Sequence, residues 1–135
     1  MEARDVTFGG DGPGLGGYLA MPAGEGAFPG VVVIHEAYGL NENIREIAER
    51  FAGEGYAALA VDLFSARSRA VCMARFMAGM LRRSPARFGI ADLQASFSYV
   101  SAMPQVDRAR IAAIGFCMGG AFVIAWPAAT TGCVP

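Results

Sequence analysis

The 135-residue sequence contains no lysine; its eleven basic residues are all arginine, set against twelve acidic ones for a net charge of −1. A chain so close to neutrality carries no electrostatic footprint for nucleic acid or another polyanion. Histidine occurs once, as His35, and cysteine three times, as Cys72, Cys117 and Cys133, with no C-x-x-C pair. One histidine and scattered thiols do not supply a zinc-type ligand set, so no metal is expected, and an odd cysteine count argues against a disulfide scaffold. Free thiols fit a reducing cytoplasm, which is the expected compartment. The opening MEARDVTF is charged and lacks the apolar core of a signal peptide. No apolar run is long enough to span a bilayer, so no membrane partner is expected. Internal repeats, low-complexity tracts and linkers are also missing, and the length suits one domain with a real apolar core.

What is present is an alternation of strand and helix signals. DVTF and GGYLAMP read as two short strands joined by a glycine-rich turn over 9–14. GVVVIHE is a continuous β-branched run of the kind buried on both faces of a sheet. In NENIREIAERFAGEG, Ile44, Ile47, Ala48 and Phe51 fall at helical spacing, Asn41 or Asn43 can cap the start, and Gly53 or Gly55 can end it. YAALAVDLF is a second buried strand. An Arg- and Met-rich helix is predicted over 69–83, broken by Ser84-Pro85, and another over 90–102, closed by Pro104. RIAAIGF is the next strand, with a helix starting at or just after Cys117. This order predicts an α/β fold with a mostly parallel sheet and helices on both faces.

The segment IAAIGFCMGG places a cysteine between glycines where strand passes to helix. Gly115-Phe116-Cys117-Met118-Gly119 has the form G-x-nucleophile-x-G in the strand–turn–helix setting of a nucleophile elbow. Such a turn is sharp and strained. Gly115 and Gly119 lie where a Cβ would strike neighbouring backbone. The turn holds the sulfur at the carboxyl edge of the sheet, where open α/β sheets bind ligands. The following helix aims its N-terminus at the thiol, which favours thiolate, and the Met118 N–H is placed to donate to an oxyanion. The plain alternative is a glycine-rich turn with a buried cysteine.

Together, VVVIHEAYGLNENIREIAERFAGEGYAALAVDLF and IAAIGFCMGG resemble the dienelactone hydrolase family, a branch of the α/β-hydrolase superfamily, over about residues 5–126. The resemblance implies an α/β-hydrolase fold and cleavage of enol-lactones and related esters by a Cys-His-Asp triad, with no cofactor. It assigns Cys117 as nucleophile and Glu36 as the carboxylate that holds or accepts the thiol proton. The backbone N–H groups of Ala37 and Met118 become the oxyanion hole. The substrate would be a small-molecule ester or lactone. Charged residues at strand ends are usually just exposed, so a solvated loop residue stays the alternative for Glu36.

Other candidates carry less. His35 precedes Glu36, and adjacent strand residues point to opposite faces, so a Glu36 facing the thiol turns His35 away. In this superfamily a histidine before the oxyanion loop is commonly a structural hydrogen-bonder. Gly12-Pro13-Gly14-Leu15-Gly16-Gly17 matches G-x-G-x-x-G, but strand-like GYLAMP follows where a dinucleotide site requires a helix, so a hairpin turn is expected. Arg67, Arg69, Arg75, Arg82 and Arg83 crowd one region. The family holds a substrate carboxylate with arginine, but each of these singly also fits a solvated helix face. Met73, Met77 and Met80 have helical spacing and read as core filler, and Cys72 as a buried structural thiol.

The resemblance ends at AFVIAW. Pro127 interrupts the last helix, and PAATTGCVP over 127–135 breaks the pattern. The triad Asp and His of the family lie beyond this point, so the expectation is a C-terminally truncated single domain over 1–135 with an aberrant tail. Reading the tail codons one nucleotide out of register allows ACGDDRLR, which continues a helix into a charged end, and a frameshift is the expected cause. The elbow strand would then form an open apolar edge, a surface for self-association. Two functions follow: a hydrolase by descent, impaired in this chain, or a non-enzymatic fragment whose Cys117 is redox-sensitive.

Overall fold

The computed structural model describes residues 1–9, 14–65, 69–81, 87–117, 119–120 and 123, without the side chains of 69, 75–76, 79–81 and 87–90. Two strands open the chain, β1 (Glu2–Phe8) and β2 (Leu15–Met21). They are followed by β3 (Phe28–Ile34), α1 (Glu42–Gly53), β4 (Ala57–Asp62), α2 (Arg69–Leu81), α3 (Arg87–Ser101) and β5 (Val106–Gly115). The strands form one sheet in the order β1-β2-β4-β3-β5. β3 pairs in parallel with β4 and β5, while β1 and β2 form an antiparallel hairpin added to β4. Residues 15–17 therefore belong to a strand, as the hairpin reading requires; residues 10–13, where the turn was expected, lie outside the described residues.

Period-2 alternation splits the sheet into two dry faces. Val32, Ile34, Leu59 and Val61 face Leu93 and Val100 of α3. Val31, Val33, Ala58 and Ala60 face Ile44, Ala48 and Ala52 of α1. The second face is rich in alanine, which lets α1 lie close against the sheet. Burying a side chain such as Ile44 there stabilises by about 1.5–3 kcal/mol, and a carboxylate at that position would forfeit it. A central strand buried on both sides is why GVVVIHE shows no polar alternation.

Helix α1 is bounded by local chemistry at both ends. Asn41 is the cap, its Oδ1 accepting the Ile44 N–H at 3.1 Å. At the other end Gly55 takes a φ of +95°, Gly55 N–H donates to Ala52 O and Tyr56 N–H to Phe51 O. That is a Schellman closure, and the Phe51 and Tyr56 rings, 5.8 Å apart edge to face, supply its apolar contact. Arg45 stitches α1 to the hairpin, lying 4.7 Å over the Tyr18 ring and 2.7 Å from Asp5 Oδ1.

Several boundaries differ from the expectation. β3 ends at Ile34, so His35 and Glu36 have left the ladder. α3 begins earlier, at Arg87. Met73 packs on the core, but Met77 is 53% exposed. Helical spacing sets the face a side chain takes, not how far the covering layer extends along it. Cys72 is fully buried, its Sγ 3.8 Å from Leu63 O. Arg67, Arg82, Arg83, Pro127 and Cys133 lie outside the described residues, as do the side chains of Arg69, Arg75 and Met80.

Candidate active site

β3 and β5 place the site. Ile34 sits opposite Gly115 in the parallel register, so Glu36 and Cys117 each follow two residues beyond a paired position, on the same carboxyl edge. Phe116 N–H extends the pairing by donating to Ile34 O at 3.2 Å. The chain then reverses. Cys117 has a φ of +54°, the one positive value for a non-glycine among the described residues, and its side chain is exposed. Gly119 N–H closes the turn onto Phe116 O at 2.9 Å, and residues 119–120 are helical. A left-handed cysteine between strand and helix is the strained geometry an elbow requires.

Contacts across the turn explain its glycines. A Cβ on Gly115 would lie on the Gly119 carbonyl and 2.5 Å from the Gly120 nitrogen. On Gly119 it would lie 2.5 Å from Ile34 O and 2.8 Å from His35 O. Both obstacles are backbone, which cannot rotate aside. The elbow is thus pressed directly onto the end of β3.

The loop after β3 is equally constrained. Glu36 and Ala37 are half-buried and Tyr38 is exposed. Gly39 turns the chain with a φ of +82°, and its N–H donates to Glu36 O at 3.1 Å. His35 is fully buried, and both ring nitrogens are used. Nε2 accepts the Leu63 N–H at 3.0 Å, so the proton resides on Nδ1, which donates to Glu36 O at 2.6 Å. Burial holds the His35 pKa below its ordinary value, outweighing the Glu36 carbonyl and the Asp62 carboxylate, which favour the charged form. Its 3.7 Å approach to Asp62 is therefore a contact of a neutral ring rather than an ion pair. With no free nitrogen and no exposure, His35 is not placed to act as a base, in keeping with its sequence reading.

Met118, whose N–H was expected to complete an oxyanion hole, lies outside the described residues. Among the described residues the Ala37 N–H has no acceptor. No group of three or more His, Cys, Asp or Glu among them is arranged for a metal. Sequence reading missed Leu63 and Phe64. Phe64 packs on the His35 ring at 4.8 Å between centroids and fills the space where a Gly39 side chain would go. The available signal was position: Leu63 and Phe64 directly follow β4, whose carboxyl end opens on the same edge as those of β3 and β5.

A parallel strand core covered by helices on each face, with a left-handed cysteine at a strand-to-helix turn, defines an α/β-hydrolase fold. Solved structures agree: a hyperthermophilic esterase from Pyrobaculum calidifontis, 19% identical, superposes with a TM-score of 0.65 over 90% of this chain and 37% of its own. The chain belongs to the dienelactone hydrolase family, whose sequence profile matches residues 15–133. It is 34% identical over 115 residues to a carboxymethylenebutenolidase from a Pseudomonas species, covering 79% of this chain and 47% of that protein. A dienelactone hydrolase-like promiscuous phosphotriesterase from metagenomic libraries is 33% identical with a TM-score of 0.77, covering 93% of this chain and 53% of its own. The chain spans about half the length, or less, of the curated relatives it matches.

Proposed function

We propose that this chain carries the nucleophile half of a hydrolase for small-molecule esters or enol-lactones, with Cys117 as nucleophile. The observation that carries the reading is the exposed, left-handed Cys117 on the carboxyl edge, two residues past a strand aligned with the one leading to Glu36. In the proposed reaction Glu36 takes the thiol proton and Sγ attacks the acyl carbon. The carbonyl oxygen becomes an oxyanion facing the N–H groups of Ala37 and Met118. Collapse expels the alkoxide or enolate, leaving an acyl thioester; in a lactone the leaving group stays tethered. The name carboxymethylenebutenolidase borne by relatives favours enol-lactones. No cofactor enters this scheme, and a reducing cytoplasm would keep the thiol free.

Hydrolysis of the thioester needs a base to activate water, and the single histidine of these 135 residues is committed to two hydrogen bonds. A polypeptide of residues 1–135 should therefore acylate once and stall. Incubation with p-nitrophenyl acetate is expected to release about one equivalent of nitrophenol and then little more, and Cys117→Ala should abolish the burst. Sustained turnover would show that another base operates. A folded chain without a burst would sink the reading in favour of a non-enzymatic thiol protein. We propose further that β5 supports self-association: alternation from Phe116 turns the backbone groups of Ile111, Ala113 and Gly115 away from β3, with no strand partner among the described residues. Sedimentation showing only monomer at high concentration would count against it.

A further inference from the structure

We infer that His35 is a positioning residue for acyl transfer, orienting and polarising the single peptide group that joins Glu36 to Ala37. The inference rests on the reading of Ala37 N–H as an oxyanion donor. That N–H and the Glu36 carbonyl are opposite ends of one peptide unit. The peptide is trans, since no cis bond occurs among the described residues, so the two groups point in opposite directions. The carbonyl end accepts twice, from His35 Nδ1–H at 2.6 Å and from Gly39 N–H at 3.1 Å. Holding it from two sides fixes the plane of the peptide and hence the direction of the N–H. It also draws electron density toward the carbonyl oxygen, which makes the N–H at the far end a stronger donor.

The histidine is itself held. Leu63 N–H donates to Nε2 at 3.0 Å, which locks the tautomer that places the proton on the Glu36 side. Phe64 lies against the ring and against Gly39, so the turn after β4 buttresses both donors to the Glu36 carbonyl. A preorganised donor of this kind costs no reorientation when charge develops on the substrate oxygen. The Ala37 N–H, without an acceptor among the described residues, is the end left for that oxygen.

Two variants separate orientation from mere packing. In His35→Asn the amide nitrogen falls near the Nδ1 position and can still donate to Glu36 O. In His35→Gln the amide reaches the Nε2 position, retaining the Leu63 contact and losing the Glu36 one. Two reactions at Cys117 are then compared at one pH: acylation by p-nitrophenyl acetate, which builds an oxyanion, and alkylation by iodoacetamide, which does not. Losing a whole oxyanion donor costs about 10²–10³-fold, so weakening one should slow acylation about tenfold. That loss is expected in His35→Gln, with His35→Asn within about twofold of the parent and alkylation unchanged in both. The Ala37 amide ¹⁵N resonance, which reports hydrogen bonding at the preceding carbonyl, should move upfield in His35→Gln but not in His35→Asn. Equal slowing of acylation in the two variants, parallel slowing of alkylation, or an undisturbed burst in His35→Gln each overturns the inference. A parent chain with no burst removes the functional reading beneath it, an outcome distinct from a burst that ignores His35.

Discussion

Replacing Gly119 by alanine probes the contact on which the elbow depends. The new Cβ would lie 2.5 Å from Ile34 O, 2.8 Å from His35 O and 2.9 Å from Ile34 Cγ2, whereas ordinary contact begins at 3.4 Å. The elbow must retreat from β3 by about 0.9 Å, because two of the three atoms are backbone held in a parallel ladder. Forcing an extra carbon into a packed interior typically costs about 1–3 kcal/mol. Taking about 2 kcal/mol, the folded-to-unfolded ratio falls roughly thirtyfold, and with a urea slope of about 1–2 kcal/mol/M the midpoint falls by roughly 1–2 M. The sulfur moves with the elbow, and a misplacement of about 1 Å can cost about 10²-fold in rate, so the p-nitrophenyl acetate burst should slow by a similar factor. Gly53→Ala is the matched control. Nothing lies within 4 Å of its added Cβ and its φ is not positive. It should raise stability by about 0.5–1 kcal/mol and leave the burst untouched. Urea titration with circular dichroism and stopped-flow nitrophenol release read both effects. A Gly119→Ala chain as stable and as fast as the parent would refute the close packing of elbow on β3.

Other perturbations give separable outcomes. Because burial lowers the His35 pKa in the folded chain below its unfolded value near 6.5, the unfolded state binds more protons in that range. The contribution from His35 should be complete above about pH 6.5 and lost as pH falls through the lower folded-state pKa. Urea midpoints measured between about pH 7 and 5 should fall in the parent and fall less in His35→Gln, and identical profiles would contradict the assignment. Asn41→Ala should cost about 1 kcal/mol by freeing the Ile44 N–H, while Asn41→Ser should recover most of it in the same titration.

Much of this protein was legible in the chain itself. The apolar run Val31–Ile34, the 3.6-residue spacing of Ile44, Ala48 and Phe51, and the glycines beside Cys117 each encode a local preference, so strands, helix and a tight turn could be read in order. Strand direction was also within reach, since helices between β3, β4 and β5 imply parallel crossovers, but the order β1-β2-β4-β3-β5 was not. What tertiary structure decided is how the edge of the sheet is wired. Strand alternation placed His35 and Glu36 on opposite faces of a continuing strand, yet β3 stops at Ile34 because the elbow closes over it there. The role of His35 depends on a peptide N–H 28 residues away. That of Gly39 depends on the Phe64 ring, and that of Gly119 on the Ile34 carbonyl. Local spacing constrains only residues that share a turn or a pleat. Hydrogen bonds and close approaches between loops arise once the parallel register brings the strand ends together, and no periodicity in the chain records which atoms then meet.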